Sequence, residues 1–216
     1  MARNPKATRK LGLRYLIAAS ALIAGFALDG PARCAWGLVV NSVPGWPLRL
    51  LAYAGDLATL TAVVAALFVC GLVVRRSRIT RAAAVLALAL VATGLVVLSL
   101  KWTASRSSDG VFYGFGAGER GNLFPSGHTA LAFAACTVIG LVWRKAKWPV
   151  IAVAAGVAIS RAMLIHFLSD VVAGALIGVL VGQLVTAWAA KKGFLELDAE
   201  PHTAAAPEPD WAPPKR

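Results

Sequence analysis

Six apolar runs, separated by short polar breaks, account for most of the chain: residues 11–28, 51–74, 82–100, 125–142, 149–165 and 170–190. A run of about 20 apolar residues matches the hydrocarbon thickness of a bilayer when it coils as a helix, because a helix satisfies every backbone polar group internally. The pattern therefore predicts an all-α polytopic membrane protein built as a six-transmembrane-helix bundle over residues 11–192. A basic segment, 1–10, precedes it, and a stretch rich in Ala, Pro and acids, 193–216, follows as an expected disordered tail. Arg14 interrupts the first run but can snorkel to the interface. Ala32-Arg33-Cys34-Ala35 makes a poor cleavage site, so the first run is read as an uncleaved span. Residues 29–50 hold Pro31, Pro44 and Pro47 with Trp36 and Trp46, and read as an interfacial loop on the outer side.

Composition agrees with a bilayer setting: 58% of the residues are hydrophobic and only 15% are charged. The net charge of +12 would suit nucleic acid, but the basic residues sit in short clusters between apolar runs and line no common groove. Nucleic acid is excluded as a partner on that ground. The clusters orient the chain instead. With both termini cytoplasmic, 14 basic residues fall at inner ends and six at outer positions: Arg33, Arg49, Lys101, Arg106, Arg120 and Arg161. Cys34, Cys70 and Cys136 have no metal-type spacing and are expected to be buried small hydrophobes. No carboxylate cluster offers a metal site, so neither metal nor cofactor is expected.

The outer side carries the chemistry. Phe124-Pro125-Ser126-Gly127-His128 follows a long polar loop, 102–124, and opens the fourth run. Proline at a first helical position reads as a helix start, whose free N–H groups and positive dipole end favour an anion. A capped helix is the plain alternative. Lys101 closes the third run, Ser160 and Arg161 close the fifth, and His166 and Asp170 open the sixth. Singly, Lys101 and Arg161 read equally well as interfacial anchors and His166 as a turn residue. Topology nevertheless puts all of them on one face at one depth. His166 and Asp170 are four apart and share a helix face, so the carboxylate can fix the imidazole tautomer and leave the other nitrogen to attack. His128 can protonate a leaving group, and Lys101 and Arg161 can hold non-bridging oxygens. Asp56, one turn inside the second run, is either a functional acid or a hydrated, hydrogen-bonded one.

Lys101, Pro125-Ser126-Gly127-His128 and Ser160-Arg161…His166-Phe167-Leu168-Ser169-Asp170 resemble, in order, the three signatures of the type 2 phosphatidic acid phosphatase family. The resemblance covers about residues 50–190. It implies a six-helix membrane bundle that removes phosphate from lipid phosphates and diphosphates. It implies His166 as nucleophile, Asp170 as its partner and His128 as acid, with Lys101, Ser126, Gly127 and Arg161 as the phosphate cradle. The chain departs from the family twice. The first signature has Arg-Pro seven residues after Lys, where this chain has Ser108-Asp109; Arg106 is the nearest arginine and would have to fill that place from flexible backbone. The third has five residues between Arg and His, where this chain has four. A turn across that gap can still deliver both groups, whereas a continuous helix would swing the Arg about 100° away.

The expected function is an integral lipid phosphatase of a bacterial inner membrane, working through a phosphohistidine on the extracytoplasmic face. Candidate substrates are undecaprenyl diphosphate, phosphatidylglycerol phosphate, phosphatidate and lipid A 1-phosphate, entering from the outer leaflet. The alternatives are a lipid phosphotransferase and a degenerate, non-catalytic lipid-binding or transport protein. Oligomeric state is not legible.

Overall fold

The computed structural model describes residues 5–42, 44–115 and 121–197. Residues 198–216 of the expected tail, residues 1–4, and Glu119 and Arg120 of the long loop lie outside the described residues. The chain is an all-α membrane protein, with one very small hairpin among the described residues. Its elements are α1 (Pro5–Val40), α2 (Gly45–Tyr53), α3 (Leu57–Val73), α4 (Ser77–Thr103), α5 (Gly127–Val142), α6 (Lys147–Leu164) and α7 (Leu168–Lys191). Between α4 and α5, β1 (Ser105–Arg106) pairs antiparallel with β2 (Phe112–Tyr113). Four helices, α1, α4, α6 and α7, are long and apolar enough to cross a bilayer, and α2 with α3 makes a fifth span bent by 49°. The remaining apolar run forms α5, whose 16 residues reach about 24 Å at 1.5 Å each. It is the hub of the bundle, packed against α4, α6 and α7.

Two expectations about the early chain are corrected. Residues 29–40 are not an interfacial loop: α1 runs through Pro31 to Val40. Proline removes only one ladder hydrogen bond and presses on one carbonyl, and Ala and Leu on both sides keep the helix going. Cys34 and Cys70 are not buried; only Cys136 is. On a bundle facing hydrocarbon, a small apolar side chain is solvated outward as readily as inward. The same logic leaves Leu95, Leu184 and Trp188 at more than half exposure.

The core has two parts. Leu60, Leu86, Leu90, Val138 and Val142 join α3, α4 and α5, and Ala132, Cys136, Ala154 and Val157 join α5 to α6. Leu195, in the first residues of the expected tail, also packs into the larger cluster. Against α7, α5 packs through small residues. A methyl at Gly178 would overlap the Ala130 carbonyl, and one at Gly174 would stand 2.5 Å from the Ser126 carbonyl. This small-residue contact, without which two membrane helices cannot approach so closely, brings the N-terminal ends of α5 and α7 together. The Ser126 N–H donates to the Asp170 carbonyl at 3.0 Å. Thus the Pro-Ser-Gly-His and His166–Asp170 motifs meet because glycine faces alanine three turns deep. At the other end of the bundle, Arg78 donates to the Val142 carbonyl at 2.7 Å and Arg81 lies over Phe194, which gathers the basic ends of α4, α5 and α7.

Candidate active site

His166 sits in the turn between α6 and α7. The helix ends at Leu164, and the N–H groups of Ile165 and His166 both return to the Arg161 carbonyl, at 3.1 and 2.9 Å. The four-residue gap therefore crosses a turn and is no continuous helix. The short turn delivers both side chains to one place, with Arg161 Nη2 3.4 Å from His166 Nε2. The other imidazole nitrogen, Nδ1, lies 3.6 Å from Asp170 Oδ2. That is ion-pair range and longer than a hydrogen bond, and such contacts in unliganded sites tighten on binding. Asp170 is itself anchored, since Oδ2 accepts the Phe167 N–H at 3.0 Å at the start of α7. Burial holds the His166 imidazole below its ordinary pKa; Asp170 pulls it up, while Arg161 and Lys101 push it further down. Near pH 7 it is neutral, the state a nitrogen nucleophile needs.

Lys101, His128, Arg161, His166 and Asp170 converge closely enough for their charges to act on one another. Lys101 donates to the carbonyl of Asn122 and so ties α4 to the segment leading into α5. The helix start is two residues later than Pro125: α5 begins at Gly127, with Ser126 in the N-cap position. Proline sits in the bend before the cap, where its missing N–H costs nothing. Ser126 is fully buried, and its hydroxyl meets the Thr129 hydroxyl at 3.0 Å. A Cβ on Gly127 would find only Val97, at 3.8 Å, so space remains on that side of the helix start. Ser160 is buried and donates back to the Val157 carbonyl at 2.8 Å.

Arg106 departs from its expected setting. Its backbone is not flexible but paired in β1, and its side chain is buried. Nη1 reaches Asp170 Oδ1 at 3.1 Å and Ser169 Oγ at 2.8 Å, while Nη2 reaches Asp29 Oδ2 at 3.0 Å. Of two further acids at this site, Asp29 escaped the sequence reading, and Asp56 was weighed there without its partner. Asp29, assigned to a loop, is a buried α1 residue that accepts from both the N–H and the hydroxyl of Ser169, at 2.9 and 2.7 Å. An acid at the border of an apolar run was the available signal. Asp56 caps α3 by accepting the Ala58 N–H at 3.0 Å, and its other oxygen lies 3.5 Å from His128 Nε2. Nothing in the linear spacing pairs residue 56 with residue 128.

A cavity of about 540 Å³ lies elsewhere, at the opposite ends of α5 and α6 among Phe133, Leu141, Arg144 and Lys147. The titratable residues gather instead at the other end of the bundle, where two imidazoles, two cations and a buried carboxylate face one another. A lysine at position 161 would keep the charge and lose the planar fork. Arg161→Lys is expected to lower turnover of a phosphate ester by about 10- to 100-fold, measured as phosphate release; near-normal turnover would mean that other groups hold the phosphate.

The PAP2 superfamily model matches residues 102–194. A lipid A 1-phosphatase from Porphyromonas gingivalis is 42% identical over 81 residues, which cover 33% of this chain and 18% of that protein. The chain thus spans less than a fifth of the length of this relative. No solved structure matches the chain. The matched segment contains the loop that follows Lys101, both histidines, Arg161 and Asp170, and over that segment the chain is similar to the PAP2 superfamily, the type 2 phosphatidic acid phosphatases.

Proposed function

We propose that this protein is a membrane lipid phosphatase that works through a phosphohistidine at its extracytoplasmic face. The observation that carries the reading is the corner formed by His166, Asp170 and Arg161. A buried, neutral imidazole stands with a carboxylate at 3.6 Å on one nitrogen and a guanidinium at 3.4 Å on the other. Arg161 Nε is buried without a hydrogen-bond partner in the described residues. Buried polar groups are rarely left so, and a phosphate oxygen would satisfy this one.

In the proposed reaction His166 Nε2 attacks phosphorus and the bond from phosphorus to the lipid oxygen breaks. His128 gives its proton to the departing oxygen. Water then attacks the phosphohistidine, the N–P bond breaks, His128 takes the water proton, and inorganic phosphate leaves. Lys101 and Arg161 balance the charge gathered on the non-bridging oxygens, with the start of α5 beside them. The lipid would enter sideways, its tails along the apolar cleft beside Leu98, Trp102 and Phe115 at the end of α4. The basic ends on the far side of the bundle support six crossings with both termini cytoplasmic in a bacterial inner membrane.

Four lipids form the test panel: lipid A 1-phosphate, undecaprenyl diphosphate, phosphatidylglycerol phosphate and phosphatidate. The name of the Porphyromonas relative puts the first at the head. Purified protein with chelator present should release phosphate from at least one; a strict metal requirement would contradict the mechanism. The pH profile is a second check. His166 must be unprotonated to attack, and burial lowers its pKa, so its acid limb should lie below the ordinary imidazole value of about 6.5. A His166 limb above that value would contradict a desolvated nucleophile.

A further inference from the structure

We propose that Arg106 and Asp29 are positioning residues for the His166–Asp170 pair, and that Arg106 does not hold the substrate phosphate. The donor inventory is the first reason. A guanidinium has five N–H bonds, and Arg106 has four acceptors: the Gly110 carbonyl, Ser169, Asp170 and Asp29. The ring of Phe167 lies 3.7 Å over it and that of Phe112 4.9 Å. Arg161, by contrast, has an N–H to spare. Of the two arginines, one is committed to protein and the other is open to an anion.

Geometry supplies the second reason. Asp29 comes from α1, Arg106 from β1, and Ser169 and Asp170 from the first turn of α7. Asp29 grips α7 through Ser169 and grips Arg106, while Arg106 grips Asp170. The carboxylate that must face His166 is therefore held on its far oxygen by a chain of two buried ion pairs, leaving Oδ2 for His166 and the Phe167 N–H. The charges alternate minus, plus, minus from Asp29 to Asp170. The missing Arg-Pro of the first signature is thus not replaced in kind. Its nearest arginine serves the nucleophile's partner, and its counterion comes from a helix outside the matched segment.

This assignment rests on the proposed phosphohistidine chemistry only for its kinetic consequence. Its structural content can be read from the His166 titration. The charged groups facing His166 are Asp170 with Arg106 and Asp29 behind it, Arg161 from α6, Lys101 from α4, and His128 from α5 with Asp56 beyond. Neutralising Asp29 removes a negative charge, so Asp29→Asn should lower the His166 midpoint. Neutralising Arg106 removes a positive charge, so Arg106→Gln should raise it. Each shift should be about half a pH unit or more; the double variant should return near the starting value, and Arg106→Lys should stay there. The measurement is NMR of the full chain with labelled histidine, in detergent or nanodiscs, with the His166 signal identified by its loss in a His166 variant. Shifts in one common direction, or no shift in Asp29→Asn, would overturn the proposal. If Arg106→Gln does not fold, Asp29→Asn decides alone. Competitive inhibition by inorganic phosphate is the second readout. Its constant should stay within about threefold in Arg106→Lys, whereas a tenfold weakening would return Arg106 to the phosphate. A wild-type protein that forms no phosphoenzyme would remove the proposed reaction and leave the titration result intact.

Discussion

Alanine at position 166 is expected to abolish phosphate release from every lipid the wild type hydrolyses, by about 10⁴-fold or more in kcat. The size of the effect follows from the mechanism: without Nε2 there is no atom to accept the phosphoryl group, and the remaining charges can only orient water. Asp170 and Arg106 remain held by other partners in the variant, since the Phe167 N–H and Arg106 still bind Asp170 and Asp29 still binds Arg106. The fold should therefore survive, and an unchanged thermal transition in detergent would establish that. Two measurements check the result. Turnover of labelled lipid should fall to background, and the acid-labile phosphoenzyme trapped from wild type should be absent. Full activity in the variant would remove His166 as nucleophile; loss of activity with a phosphoenzyme still present would move the attack to another side chain.

His128→Asn should produce the next largest loss, about 10²- to 10⁴-fold with a lipid monoester whose leaving group is an alkoxide. Asparagine keeps the size of the side chain and a hydrogen-bond donor, so the loss would be that of the proton. His128 lies 3.5 Å from Asp56, with both side chains roughly a third exposed. A carboxylate at that distance can orient the ring for proton transfer to the leaving oxygen. Nitrophenyl phosphate provides the internal comparison. Nitrophenolate departs without a proton, so the variant should lose less than about tenfold on that substrate, and phosphoenzyme should still form. Equal losses on both substrates would show that His128 serves binding and not proton transfer.

Much of this site is legible in the chain because its parts are local. The i, i+4 spacing of His166 and Asp170, the basic residue at the end of an apolar run and the Pro-Ser-Gly-His start all express themselves within one helix turn. The Arg161–His166 gap was readable as a turn for the same reason. What escaped is what long-range packing decides. Asp29 meets Ser169 across 140 positions, and Arg106 meets Asp170 across 64; no periodicity in a single sequence relates them. Pro31 misled because a proline penalty is local and modest, whereas continuation of α1 brings Asp29 against α7. The cysteines misled because burial is a weaker demand when the surroundings are as apolar as the core.

By itself the sequence determined that the chain crosses membranes as helices, since hydrocarbon accepts no unpaired backbone, and that Lys101, Arg161 and the titratable residues cluster at one end of the bundle. Only the tertiary structure decided how those residues divide their work. The approach of α7 to α5 over Gly174 and Gly178 sets the depth at which His166 and Asp170 meet the start of α5. The docking of α1 supplies Asp29, and with it an ion-pair partner that draws Arg106 toward Asp170. A buried guanidinium must find acceptors wherever packing offers them, and that requirement, which no local pattern encodes, separates Arg106 from Arg161.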